Sequence, residues 1–318
     1  MNTIDIFKSR TKARRVISDF LETHGYTEVD TPLLSPSAIP EPTIKLFKTS
    51  RHTLKGNDSF YLLPSPELYM KRILSETQTS IYQFSKCFRN SEQAGKEHLN
   101  EFTMLEYYAV NKNEEYSLKI TEELLKLLST AFDSPILKKD IIQISMRTLV
   151  MDTTGLDLNK LQNKSDLQKA IENYGITIWN KSESWDDSFN RLFVSSVEPK
   201  LTEFDAPVAI YDYPKQIECL CENAKDGMYK KRWELYINGI ELANCYREET
   251  NPDVIASYFK NEHEKILKDE SDFKSDFDLV NYPLPQSSGV ALGFDRLMMC
   301  LLKKSQICDI MPNAKEIL

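Results

Sequence analysis

81-IYQFSKCFRNSEQAGKEHLNEFTMLEYYAV-110 decides the fold. Two apolar, β-prone runs, IYQFSKCF and FTMLEYYAV, flank a charged connection that carries Arg89 at its start and His98 near its end. The pattern reads as an antiparallel hairpin with a long turn. Period two then sets Phe102, Met104, Glu106 and Tyr108 on one face of the second strand, and Ser85, Cys87 and Arg89 on one face of the first.

A carboxylate among aromatics is costly to bury unless it is paired. Two readings of this face stand side by side. One is a core strand with a structural ion pair. The other is a pocket in which the planar fork of Arg89 binds a carboxylate or phosphate, Phe102 offers a flat ring, and Glu106 meets a cation.

The hairpin sits in a chain of 318 residues, with 41% hydrophobic and 28% charged side chains, which fits an ordinary globular protein. No run approaches the roughly 18 apolar residues of a membrane span, and MNTIDIFKSRTKARR lacks a signal-peptide core, so a cytoplasmic protein with no membrane partner is expected. Six scattered cysteines without metal-ligand spacing read as reduced thiols. A net charge of −8 offers no basic footprint for nucleic acid, and the strip KSRTKARR reads more simply as a solvated helix face.

Around the hairpin, residues 11–24 carry Ala13, Val16, Ile17, Phe20 and Leu21 at helical spacing, with Gly25 as a stop. YTEVDTPLL predicts an edge strand ending at Pro32, and Phe60–Leu63 a strand that hands over to the helix SPELYMKRIL, with Ser65 as N-cap and Pro66 at the first helical position. Residues 114–205 read as mainly helical scaffold or insertion. Hairpins at both ends with helices between predict an α+β fold, a mainly antiparallel sheet flanked by helices, in a single domain over 1–318.

The second hairpin is WELYI-NG-IELANCYRE, whose Asn238–Gly239 pair predicts a type I′ turn. That turn pairs Tyr236 with Glu241 and Glu234 with Ala243, leaving Glu234 and Glu241 as diagonal neighbours roughly 7–8 Å apart. Such a pair is either a solvated acidic patch or a seat for a divalent cation. Asn244, Tyr246 and Glu248 join that face only if the strand bulges near Ala243–Cys245. In GVALGFDRL, Gly289 and Gly293 permit close approach, and Arg296 in a helix's first turn is either paired with Asp295 or a phosphate clamp.

In this order, the helix and strand ending at Pro32, the FRN…H…EFTMLE hairpin and GVALGFDRL resemble the three motifs of class II aminoacyl-tRNA synthetases. SPELYMKR, FRNSE, EFTMLEYY, GIELANCYREE and SGVALGFDRL carry a closer similarity to lysyl-tRNA synthetases and, above all, to the elongation factor P lysine ligase family of GenX and PoxA proteins (EpmA). The resemblance implies ATP and Mg2+ as cofactors. It implies Arg89 on the substrate carboxylate and α-phosphate, Phe102 under adenine, His98 and Glu92 near the phosphates, Arg296 clamping the triphosphate, and Glu234 and Glu241 holding magnesium. Glu67, Glu106, Tyr108, Asn244, Tyr246, Glu248 and Ala291 would line the amino-acid pocket.

It further implies a class II catalytic domain without an anticodon-binding domain, a homodimer, and elongation factor P rather than tRNA as the acceptor of lysine or (R)-β-lysine. Ala291 stands where lysyl-tRNA synthetases generally show glycine and the ligases alanine. The chain departs from the family at Cys245-Tyr246-Arg247, often Gly-Phe-His, and in a longer turn after Arg89 that leaves Ser91 or Glu92 at the ATP-contacting position, with Glu92 favoured. Competing readings are a tRNA-charging enzyme, a small-molecule ligase resembling asparagine synthetase A, and a non-catalytic relative.

Overall fold

The computed structural model describes residues 2–90, 95–312 and 314. In chain order the elements are α1 (Thr3–Thr23), β1 (Thr27–Glu28), β2 (Leu34–Ser35), β3 (Phe47–Thr53), β4 (Gly56–Leu62), α2 (Glu67–Thr77), β5 (Ile81–Phe88) and β6 (Glu101–Val110). Then come α3 (Glu114–Phe132), β7 (Ile142–Ser145), α4 (Met146–Thr154), α5 (Lys164–Tyr174), α6 (Trp185–Leu192) and β8 (Val208–Pro214). The chain closes with β9 (Tyr229–Ile237), β10 (Ile240–Arg247), α7 (Pro252–Ile266), β11 (Ser287–Gly293) and α8 (Phe294–Leu302).

Eight strands form the main sheet in the order β1-β5-β6-β11-β10-β9-β8-β7, antiparallel throughout its middle and parallel only at the two edge pairs. One sheet face is roofed by α1, α3 and α8. Ile17 and Leu21 of α1 are fully buried there, each contributing about 2 kcal/mol of burial. The start of α1 is fixed by a capping box between Asn2 and Asp5, so the helix begins well before residue 11.

Several expectations need correction. The strand before Pro32 is only Thr27–Glu28, because TEVDT has few buried side chains to reward a longer ladder. Residues 60–62 belong to β4 in a separate sheet of order β2-β4-β3, not to the main one. Pro66 itself caps α2, with no side-chain bond from Ser65. The helical stretch 114–205 also contains strand β7, paired in parallel with β8. Its helices α4–α6 pack a second core, including Trp185, Phe189 and Leu192, against β8 and Tyr236.

The Asn238–Gly239 turn has both residues at positive φ, 51° and 80°, as a type I′ turn requires. The predicted bulge exists but lies earlier, between Glu241 and Ala243. Glu234 therefore faces Asn244 rather than Ala243. The extra residue moves Asn244 and Tyr246 onto the face of Glu234 and Glu241, which is what the site requires. Among the described residues no helix is long and apolar enough to cross a membrane.

Candidate active site

The uncovered face of the sheet's middle strands carries two adjoining cavities that share Arg89, Met104, Asn244 and Ala291 in their walls. The register explains the meeting. Ala291 on β11 lies between Glu106 on β6 and Asn244 on β10, and Gly289 lies between Tyr108 and Tyr246. A Cβ at Gly289 would stand 2.4 Å from the Tyr108 ring and 2.5 Å from a Glu248 oxygen. Glycine is needed there for both side chains to converge.

The larger cavity, about 680 Å³, is lined by Glu41, Glu67, Glu106, Tyr108, Tyr246 and Glu248, among others. The buried Lys71 ammonium bridges Glu67 at 2.6 Å and Glu248 at 2.7 Å. Burial alone would push that ammonium down, but Glu248 and Glu67 together hold it well above its ordinary pKa. Glu106 accepts the Tyr108 hydroxyl at 2.6 Å on Oε1, while its buried Oε2 has no hydrogen-bond partner among the described residues.

One lysine does not balance these carboxylates. Burial, then the charge of Glu67, pushes Glu106 up to about 8 and Glu41 up to about 7. Glu248 is pushed up to about 7 by burial, with Lys71 opposing and Glu67 adding to the shift. An environment that resists ionising these acids is one in which a bound ammonium is strongly favoured.

The smaller cavity, about 170 Å³, brings Arg89, His98, Phe102 and Arg296 together in its wall, beside the carboxylates Glu97, Glu241 and Asp295. Arg89 closes β5 against Asn100, whose Nδ2 donates to the Arg89 carbonyl at 2.7 Å, and its guanidinium lies 5.2 Å from the Phe102 ring centroid. Arg296 donates to the Glu241 carbonyl at 2.7 Å and to His98 Nε2 at 2.6 Å. It is not paired with Asp295, whose carboxylate takes Arg10 at 2.6 Å and the Thr103 amide at 2.7 Å. The fork of Arg296 is thus tethered at the cavity wall.

Glu234 and Glu241 share the bulged face but each has protein partners. Glu234 accepts from Arg232 and from the Tyr236 hydroxyl, the latter at 2.6 Å. Glu241 lies 3.7 Å from Arg296 and is pushed up to about 6, first by burial and then by the charge of Glu234. A carboxylate raised by the charge of its neighbour fits a hard cation that takes one or two carboxylates and completes its shell with phosphate oxygens. Among the described residues no cluster of three or more ligating side chains forms a self-sufficient metal site.

Glu92 and Ser91 lie outside the described residues. The other predicted residues, Glu234 excepted, line one or both cavities; Glu234 stands beside them, opposite Asn244. Sequence reasoning missed Glu41, Lys71, Arg232 and Cys219. Lys71 left one signal, its i,i+4 spacing from Glu67 in PELYMK. Arg232 sits 4.5 Å from the Tyr213 ring and 5.2 Å from the Tyr246 ring, contacts that only the folded sheet creates.

Comparison with known proteins gives the family. The family model described as tRNA synthetases class II (D, K and N) matches residues 2–316. A lysine–tRNA ligase of Pelotomaculum thermopropionicum is 31% identical over 96% of this chain and 62% of its own length. The chain thus spans less than two thirds of that relative. A protein of Aquifex aeolicus named elongation factor P–(R)-beta-lysine ligase homolog is 33% identical over 92% of this chain and 93% of its own. The elongation factor P–(R)-beta-lysine ligase of Pectobacterium atrosepticum is 31% identical over 93% and 91%. With a family model that matches nearly the whole chain and an α+β fold on a mainly antiparallel sheet, the chain belongs to the class II tRNA synthetases of the D, K and N group.

Proposed function

We propose that this chain is an ATP-dependent ligase that activates lysine or (R)-β-lysine as an aminoacyl-adenylate and transfers it to a lysine ε-amine of elongation factor P. The observation that carries the reading is the junction at Arg89, Asn244 and Ala291, where an amine-seeking cavity opens into an anion-seeking one. A diamino acid fits across it: ammonium groups among Glu67, Glu106 and Glu248, carboxylate at Arg89. Relatives that match over nine tenths of both chains bear the ligase name, which supports the acceptor.

In the first step a carboxylate oxygen of the amino acid attacks the α-phosphorus of ATP in line, and pyrophosphate leaves. Arg89 aligns the two reactants, Phe102 stacks adenine, and Arg296, steered by His98, balances the developing phosphate charge. Positioning and fixed positive charge supply most of the acceleration in such a reaction. Magnesium, held by Glu241 and Glu234, would neutralise phosphate oxygens when bound. In the second step the acceptor amine attacks the adenylate carbonyl and AMP leaves, with no side-chain nucleophile.

Ala291 narrows the junction by one methyl and favours (R)-β-lysine over α-lysine. A single catalytic domain acting as a homodimer is supported by exposed Ile4 and Phe7 on α1. The six cysteines, all free among the described residues, suit a cytoplasmic enzyme. Incubation of purified elongation factor P with ATP and each lysine isomer, read by intact mass, should add one aminoacyl group. An unchanged mass with every isomer rejects the acceptor. A tRNA-charging reading is favoured by the lysine–tRNA ligases that match 96% of this chain or more, and transfer of labelled lysine to tRNA would reveal it.

A further inference from the structure

Cys219 and Cys221 flank a bend at Leu220, and Cys219, half-buried, lies in the wall of the larger cavity. The strip is fixed from both sides: Glu249 N donates to Leu220 O at 3.1 Å, and Lys230 Nζ to Cys221 O at 3.4 Å. Cys221, whose thiol donates to the Lys231 carbonyl at 3.1 Å, adjoins Cys219, with Arg232 and Lys230 nearby. These neighbours, Cys221 first, pull Cys219 down to about 7 against its own burial and the charge of Glu218. Glu41, Glu248, Tyr246 and Tyr258 face it from the other walls.

A reactive thiol alone selects no ligand, but the cavity does. Eight carboxylate side chains against three cationic ones line it. Glu106, which lines it, is buried, and its Oε2 atom has no hydrogen-bond partner among the described residues. We propose that Cys219 is a covalent modification site that takes amine-bearing low-molecular-weight disulfides, of which cystamine is the probe. The Cys219 thiolate attacks one sulfur, the disulfide's S–S bond breaks, a new S–S bond forms to Cys219, and the proton that Cys219 gave up ends on the departing aminothiol. The tethered aminoethyl arm then offers its ammonium to the carboxylates that would otherwise meet substrate. This last element rests on the amino-acid pocket of the proposed function.

The test treats the full chain with cystamine, or with anionic oxidised glutathione, and follows each cysteine by peptide mapping, with half-exposed Cys308 as the internal reference. Cystamine should modify Cys219 about tenfold faster than Cys308, oxidised glutathione should show no such preference, and saturating lysine should slow only the Cys219 reaction, about tenfold. Loss of the fast phase in Cys219→Ser, with Cys308 reacting as before, would assign the site; wild-type mapping decides alone if the variant misfolds. Equal rates at Cys219 and Cys308, no preference for the cationic disulfide, or no protection by lysine would each overturn the proposal. Lysine-dependent pyrophosphate exchange on untreated protein separates the two readings. Exchange without Cys219 selectivity rejects the thiol site alone, whereas selectivity and protection without exchange reject the catalytic reading alone.

Discussion

The two cavities share a wall yet hold their charged side chains in different ways. In the larger one, carboxylates outnumber their cations, Glu106 keeps an oxygen without a partner among the described residues, and Glu41, Glu106 and Glu248 are all pushed up toward neutrality. In the smaller one, Arg296 is tied to a backbone carbonyl and to His98, and Arg89 lies along an aromatic ring. The acid-rich cavity is left electrostatically unfinished, while the arginines of the smaller one are braced in place. Substrate charge completes the first; fixed protein charge performs the work in the second.

If the division is real, changes at each end should act on different kinetic constants. Arg296→Ala should carry the largest effect, lowering kcat for ATP–pyrophosphate exchange by about 100- to 1000-fold while the amino-acid KM moves less than about twofold. A comparable rise in the amino-acid KM would merge the two ends. Gly289→Ala comes next: its Cβ collides with Tyr108 and Glu248, so the amino-acid KM should rise about 30-fold while the KM for ATP holds.

A third prediction concerns pH. Below about 8 the free protein holds a proton on Glu106, and a bound ammonium requires the carboxylate, so binding releases that proton. The lysine KM should fall about tenfold from pH 6 to 8, and Glu106→Gln should flatten the profile. Stability runs the other way. A carboxyl whose folded pKa is raised stabilises the fold below its unfolded value near 4.3 and loses that contribution as pH climbs through 7 to 8. The Tm of the free protein should therefore drop between pH 5 and 8, and lysine should restore part of the loss. The smallest effect is expected from Ala291→Gly, which should shift the ratio of kcat/KM for β-lysine and lysine by less than about tenfold.

Much of this division was legible in the chain. Period-two alternation exposed β5, β6 and β10, Asn238–Gly239 fixed a turn, and the need to bring Asn244 and Tyr246 inward called for a bulge, which lies at Glu241–Ala243. What stayed hidden depends on contacts distant in sequence. Lys71 reads as a surface charge until Glu248 arrives from β10's end, and Glu41 sits in a proline-rich loop with no periodicity. Strand β3, FKTSRHT, is exposed along almost its whole length, so no apolar alternation marks it. Arg232 and Cys219 acquire meaning only when β9 and the segment after β8 are brought against β10.

The most direct test is pyrophosphate exchange screened across amino acids with the intact chain. An acid-rich cavity joined at Arg89 to one that holds Arg296 predicts ATP–pyrophosphate exchange that depends on a lysine-class diamino acid and is lost in Arg296→Ala. Exchange with a neutral or acidic amino acid instead, or none with any lysine isomer, would contradict the account.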